Sequence, residues 1–548
     1  MKKVIALVLA FAMVFCLCAC GSSSSSTSTA STATEAAPVE QDDSIIEQET
    51  AQADTLAEKV VVQIDELDDF GPFQGTTGDG VSKGIQYEVY QTLANANSFG
   101  GEIVPIMMKG YEQIDDTTYE ITLEEGIYDS NGNSITASDV QFSIEKYREQ
   151  GETSDTDYIV EVEVVSDYVV RYHMTEDAPV NAFTMVASNL HIVSQASYEA
   201  SEDGMATDPV GSGPYKVTKY VTGSEIVLEA DENYWEPAEL RDASNEMQNV
   251  KVIDCVVLSE SSQIAMALQT GSADISESVN AQDLASFTSG QYADGHGVYS
   301  MPMTSTYTLT MNASSDSPLH DANLRKAVCL AIDSDFVAGA VNGGNNVVSY
   351  VMGGPTYGDY SDAMADCYPG YDVEAAKAAL AESEYPNGCT LSLAYISGNS
   401  AVEDIGVILQ AYLAEIGVTL ELNGLPFPSY LAAEGDSTQW DFCVANFSNS
   451  TAALVNVWNN YFSSSANNGM SKNFVDDEQL QTLLTTACTE ATHTEENVVA
   501  LWNYIMENYW VYALYVPMRN YVYNSNLISG FAFNSTNTVV PGACTYVG

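Results

Sequence analysis

Thr118-Tyr119-Glu120-Ile121-Thr122-Leu123 runs through Gly126-Ile127-Tyr128 into Asp129-Ser130-Asn131-Gly132-Asn133 and on to Ser134-Ile135-Thr136-Ala137-Ser138-Asp139-Val140-Gln141-Phe142-Ser143. Residues 118–123 alternate polar and apolar side chains, the period of a half-buried strand. The Asp/Asn/Gly cluster is a turn, because short polar side chains bond their own backbone there and Gly takes positive φ freely. Thr136 with Asp139 three positions on makes a capping box, so an amphipathic helix is expected over residues 138–150. Asp129, Asn131 and Asn133 also match the first three ligand spacings of a calcium loop. Ser134 stands where that loop needs Gly, however, and Val140 where it needs a bidentate Glu, so the hydrogen-bonded turn is preferred.

The same patterning extends outward in both directions. Strands are expected at residues 59–64, 159–165, 168–174, 215–221 and 225–230, a helix at 85–93, and a tight turn at Gly211-Ser212-Gly213-Pro214-Tyr215. Residues 252–258, 264–270 and 273–275 give strand, helix and strand. Helices at 324–332, 373–382 and 402–415 then alternate with strand-like stretches at 391–395 and 418–422, a βα alternation that marks an α/β lobe. A last helix at 494–506 leads to strands at 511–516 and 521–533.

The amino terminus carries a different message. Lys2 and Lys3 precede an apolar run from Val4 to Cys18, too short to span a bilayer. Leu17-Cys18-Ala19-Cys20 closes it with small residues before a cysteine, the pattern of a lipoprotein leader, so residues 1–19 are expected to be removed and Cys20 to carry a diacylglycerol thioether. Residues 20–57 then read as the lipidated Cys and a Ser/Thr-rich, increasingly acidic tether with too little apolar surface to fold. A two-chain lipid is enough for stable anchoring.

The whole chain is 45% hydrophobic and 10% aromatic, with no second long apolar run. Lys and Arg number 17 against 76 Asp and Glu, a net charge of −59, which repels phosphate backbones and anionic headgroups. Nucleic acid is therefore not an expected partner, and the membrane is reached through the lipid. Cys255, Cys329, Cys367, Cys389, Cys443, Cys488 and Cys544 contain no C-x-x-C pair, and several sit in apolar runs, so buried free thiols are favoured over disulfides. The five histidines are scattered without metal-ligand spacing, no G-x-S-x-G surrounds Ser212, and no G-x-x-x-x-G-K-[ST] occurs, so no metal, cofactor or catalytic residue is assigned.

Five stretches, in order, resemble the family 5 extracellular solute-binding proteins, the oligopeptide and dipeptide receptors of ATP-driven (ABC) importers. They are the 118–143 stretch; 209–215 with Asn233-Tyr234-Trp235; Ala267-Leu268-Gln269-Thr270-Gly271 with Ala273-Asp274-Ile275; Asp321 with Leu324-Arg325-Lys326-Ala327 and Ala331-Ile332-Asp333; and Ala375-Ala376-Lys377 with Leu380 and 413–418. The resemblance implies an α/β fold: a two-lobed periplasmic-binding-protein-like clam with a hinge, of type II and the large oligopeptide-binding kind. Lobe one would comprise 58–304 with an extra subdomain, completed by 516–548, and lobe two 305–515. A peptide or peptide-like solute would be held between the lobes by a monomer, and importer permease subunits would recognise the closed form.

Within that implied cleft the expected ligand contacts are Phe70 and Phe73 from the first loop, Trp440, Asn446, Phe447 and Asn449 from lobe two, and Arg519 with Tyr521 beside the second crossing. Arg519 suits a ligand carboxylate, or equally a neighbouring acid. Peptide-binding members place an Asp shortly after a Trp-rich strand to take the peptide's amino terminus, whereas here no acid lies between Asn446 and Phe462. That departure weakens the case for a short zwitterionic peptide and leaves a blocked or larger peptide, an oligosaccharide or another polar metabolite open. A surface hydrolase and a structural lipoprotein are the readings from other classes.

Overall fold

The structure, a computed structural model, describes residues 52–67, 69–73, 81–96, 103–151, 155–176, 178–241, 246–447, 453–467, 469–534 and 538–547. The leader, Cys20 and most of the expected tether lie outside the described residues. No helix among those described is long and apolar enough to cross a membrane.

One strand, Val511–Asn524, organises the molecule. Its first half pairs antiparallel with Thr306–Met311, Tyr515 facing Tyr307 and Val511 facing Thr310. Its second half pairs antiparallel with His296–Pro302, Met518 facing Pro302 and Asn524 facing His296. A 12-stranded sheet spreads from it in two directions. One wing holds Ile275–Ser276, Val60–Ile64, Val252–Val257, Glu225–Ala230 and Tyr215–Val221; the other holds Phe442–Phe447, Thr390–Ile396 and Thr419–Leu425 beyond Thr306–Met311. Thr390–Ile396 and Thr419–Leu425 are parallel, joined through helix Ser400–Glu415, as the βα alternation requires.

Sequence patterning places two separate strands at 511–516 and 521–533, whereas the chain forms one continuous strand ending at Asn524. Pro517 explains the difference. Proline lacks the N–H that a central strand normally needs, but it falls where the strand changes partners, and its carbonyl still accepts from Met303 N at 2.9 Å.

Apolar packing divides the same way. One core gathers Val60, Val62, Ile253, Cys255, Tyr215, Tyr521, Tyr523 and Phe531. Another gathers Leu309, Met311, Leu391, Leu393, Leu409, Tyr512 and Leu514. A helical cluster beside the second core contains Trp458 and Trp502, stacked at 5.1 Å. These two cores on either side of a shared strand make an α/β molecule of two lobes.

The 118–143 stretch forms as its chemistry dictates. Thr118–Leu123 lies inside a four-stranded antiparallel sheet, and helix Ala137–Gln150 starts where Asp139 Oδ2 accepts from Thr136 N at 2.8 Å and Thr136 Oγ1 at 3.0 Å. Asp129 Oδ1 accepts from Asn131 N (2.9 Å) and Asn133 N (3.0 Å), and its Oδ2 accepts from Ser197 Oγ. One carboxylate oxygen closes the turn and the other ties it to Ser197 of helix Gln195–Ala200. Gly211 is required by contact: a Cβ there would lie 1.9 Å from Val89 O.

Two boundaries move. The first helix is Val81–Val89 rather than 85–93, because Gly213 N takes the Val89 carbonyl at 2.8 Å that another turn would need. The tether ends earlier than residue 57: Ala53 N donates to Asn249 Oδ1 at 2.7 Å, Gln52 Nε2 to Gln248 O at 2.8 Å, and Ala57 bridges Val250. Those partners come from distant sequence, so composition alone places the boundary too late.

Glu88, fully buried, accepts from Gly542 N at 2.7 Å and so ties the first helix to the carboxy-terminal segment. Burial pushes its carboxyl up to about 8, the Gly542 N–H pulling the other way. The folded state therefore prefers the protonated acid, so this contribution is full below the ordinary carboxylate range and fades as pH rises through about 8. Unfolding of the native chain should lose roughly 2–5 kcal/mol between pH 5 and 8.5 from this group. Glu88→Gln, measured by denaturant titration, should flatten that decline; an unchanged pH slope would refute the assignment.

Candidate functional site

The seam between the two cores is the candidate site, since both chain crossings meet there. The strands His296–Pro302 and Thr306–Met311 are joined through residues 303–305, and the long strand passes through Val516 and Pro517. Asn346–Val348 pairs with the long strand from Tyr515 to Pro517, and Asn345 Nδ2 donates to Asn520 Oδ1 at 2.8 Å. Gly354, at φ +85°, presses so close that a Cβ would meet Val516 Cγ2 at 2.7 Å and Thr306 Oγ1 at 3.2 Å. Around this crossing the hydroxyls of Ser305, Thr306, Thr356 and Tyr515 are shut from solvent without a hydrogen-bond partner among the described residues. Leaving such groups unsatisfied costs about 1–3 kcal/mol each.

Arg519, two residues past Pro517, is held on the first-lobe side. Its Nε lies 3.7 Å from Glu277 Oε2, with both side chains mostly buried, and its Nη1 approaches Thr538 Oγ1 at 3.5 Å. Glu277 directly follows Ile275–Ser276, which pairs with the long strand, so the sheet itself brings acid and base together. Burial first, and Glu277 second, push the neighbouring Tyr521 hydroxyl up, with Arg519 pulling it down. Tyr299, Tyr521, Phe531 and Phe533 pack into one aromatic group beside this pair, with Tyr299 and Phe533 at 5.5 Å and half-buried. On the second-lobe side, Asn446 is exposed opposite Tyr307, and Phe447 is half-buried, edge-on to Tyr461 at 4.8 Å.

The expected ligand contacts therefore separate. Arg519, Asn446 and Phe447 lie on the long strand or on the strand one removed from it, with side chains not fully enclosed. Phe70 and Phe73 do not reach the seam: they are core residues, 3% and 1% exposed, Phe73 packing edge-on to Tyr147 at 5.0 Å. Large rings in a loop bounded by Pro72 look available in sequence but are drawn inward by the apolar area they bury. Trp440 is likewise enclosed with Ala394, Tyr430 and Cys443, its Nε1 donating to Glu434 O at 3.3 Å. Tyr521 belongs to the first core. Asn449 lies outside the described residues. Ser305, Thr306, Thr356 and Glu277 were not singled out by sequence. Only the adjacent Ala273-Asp274-Ile275 pattern gave a pointer, to Glu277.

All seven described thiols are free, and burial pushes each of them up, Cys367 and Cys389 to about 11 and Cys488 and Cys544 to about 12. They are poor nucleophiles at neutral pH. Ser212 is 2% exposed against the end of the first helix. Among the described residues no group of three His, Cys, Asp or Glu side chains is arranged to hold a metal ion.

Comparison with known proteins agrees with this geometry. The family profile of bacterial extracellular solute-binding proteins, family 5 (middle region), matches residues 102–469. The oligopeptide-binding protein OppA of Bacillus subtilis is 21% identical over 393 residues, covering 66% of this chain and 70% of its own. The oligopeptide-binding protein AppA of Bacillus subtilis, solved with a nonapeptide, superposes with a TM-score of 0.67 at 18% identity, over 91% of this chain and all of that one. The binding protein AgaA of A. tumefaciens R10, solved with agropinic acid, superposes at 0.66 and 20% identity, over 89% of this chain and 99% of that one.

Arg519→Met removes a mostly buried cation from beside Glu277, and should destabilise the chain by about 3–5 kcal/mol. Adding Glu277→Gln should recover part of that loss. Additive single and double variants in a denaturant-unfolding cycle would show that the two side chains do not interact.

Proposed function

The chain belongs to the bacterial extracellular solute-binding proteins of family 5, and from that membership we propose that it is the solute receptor of an ATP-driven importer, clasping a peptide or peptide-like solute between its lobes. The observation that carries this reading is the seam itself: two separately packed cores joined by a shared strand, with unsatisfied hydroxyls and an Arg519–Glu277 pair at the joint. Lobe boundaries at 304/305 and 515/516 would make residues 303–305 and 516–517 the hinge, and a solute that touches both lobes would favour the closed state by its differential contacts. ATP hydrolysis and translocation would belong to partner subunits.

Peptides are the favoured guest because OppA and AppA carry that description and AppA is solved with a nonapeptide. The agropinic acid complex of AgaA supports a second reading, since the same fold at similar likeness holds a non-peptide metabolite. An oligosaccharide is a further guest of that second kind. The leader over residues 1–19, followed by Cys20, supports attachment to the outer face of the cytoplasmic membrane by a diacyl group, with the receptor working as a monomer at the end of its tether.

Two measurements check this reading. Equilibrium dialysis against pooled peptides of two to ten residues and pooled oligosaccharides, with mass spectrometry of the retained fraction, should retain peptides unaltered. Retention of sugars alone would transfer the assignment to the second reading, and chemical conversion of any retained guest would overturn both. Cys20→Ala in the full-length chain should release the protein from the membrane fraction into the medium; retention in the membrane would refute lipid anchoring.

A further inference from the structure

Beyond the crossing strands, residues that the sequence gives to the first lobe meet second-lobe residues again at Val180 and Asn181. Val180, 2% exposed, belongs by sequence to the first lobe, yet it packs within the helical cluster of the second, among Val351, Met352, Tyr357, Leu454 and Trp458. The peptide bond between Val180 and Asn181 is gripped on both sides by second-lobe residues. Asn456 Nδ2 donates to Val180 O at 2.9 Å, and Asn181 N approaches Glu490 Oε2 at 3.5 Å. Asn181 adopts φ 63°, a left-handed conformation that Asn tolerates better than most side chains, at the start of helix Ala182–Asn189. That helix is braced on its own lobe: Phe183 stacks on Tyr119 at 4.3 Å and 6°. On the opposite side, helix Leu454–Phe462 is fixed by Asp359, whose carboxylate accepts from Leu454 N at 2.6 Å and Val455 N at 3.2 Å. Each half of the contact is thus tied to its own lobe.

We infer that residues 178–181 form a latch that holds the lobes together without a guest. The inference rests on the crevice reading above and deepens it by naming what regulates closure. A buried valine and a peptide group bonded at both ends are interactions available only when the lobes meet. They shift the open and closed populations toward closed whether or not a solute is present, and they touch neither Arg519 nor the seam hydroxyls. A guest that requires the closed form then binds to a population already biased toward it, and its apparent affinity rises with the competent fraction.

Two substitutions separate a latch from a merely structural contact. Val180→Asp places a carboxylate that water can solvate when the lobes are apart but that is stranded among apolar side chains when they meet. Asn456→Leu keeps the bulk and removes the donor. Full-length protein, dialysed free of co-purifying solute, would be compared by small-angle scattering and amide hydrogen exchange. Both variants should show a larger radius of gyration than the native chain, and segments 178–183 and 454–458 should exchange at least about tenfold faster. Exchange in 60–64 and 390–396 should not change. Scattering and exchange identical to the native chain in both variants would overturn the latch. Should Val180→Asp also loosen 60–64, Asn456→Leu decides: expansion supports the latch and an unchanged curve removes it. Failure of the native chain to retain any pooled peptide or sugar would leave these outcomes as they are, so the two readings fail separately.

Discussion

A single backbone has to complete hydrogen-bond ladders in two different cores, and the rest of the architecture follows from that demand on Val511–Asn524. Its 14 residues reach roughly 45 Å at a strand's rise per residue, far enough to enter both lobes. Tyr512 and Leu514 go to one core, Tyr521 and Tyr523 to the other. Between them lies Pro517, the one residue type that gives up a ladder donor, at the point where the ladder changes hands. A strand shared between two cores is the kind of joint that the proposed hinge would need.

Polar accounting tells the same story from another direction. Scarce cations are spent on structure where they are buried: Arg325 donates to Asn508 O, Leu319 O and His320 O at 2.8–2.9 Å, and burial holds its guanidinium down to about 10. Exposed pairs such as Lys146–Glu149 and Lys377–Glu374 are short-range surface contacts of the kind that contribute little. The unsatisfied hydroxyls at Ser305, Thr306, Thr356 and Tyr515 come from segments at or beside the joint, though buried polar atoms without a partner among the described residues also occur elsewhere, at Tyr87, Tyr172 and Trp502 among others. The excess of acids over bases keeps phosphate backbones and anionic headgroups away and leaves a neutral or cationic solute free to approach.

Most local structure was legible in the residues. The capping box at Thr136 and Asp139, the Asx turn at Asp129, the Gly211–Gly213 turn and the helices near 324, 373, 402 and 495 each formed close to where their chemistry placed them. Errors arose where a distant segment intervened. Gly213 ended the first helix early, Gln248 and Asn249 captured the tether at Gln52 and Ala53, and Met303 rescued the strand through Pro517. The site was harder to see, for one reason. An aromatic in a loop carries no mark of which way it faces, so Phe73 and Trp440 read as cleft residues and turned out to be filling, while small hydroxyl residues gave no signal at all.

Periodicity and turn chemistry pointed to the α/β class because both rest on contacts between near neighbours, while the two lobes and the family came from the resemblance of five ordered stretches, and the family profile over residues 102–469 shows the membership. Which side chains share the seam, that one strand serves both cores, and that Val180 crosses to the opposite lobe emerged only in the folded chain. Those facts depend on pairs hundreds of residues apart, such as Val180 with Asn456 and Glu277 with Arg519. Their energy exists only after both partners are in place.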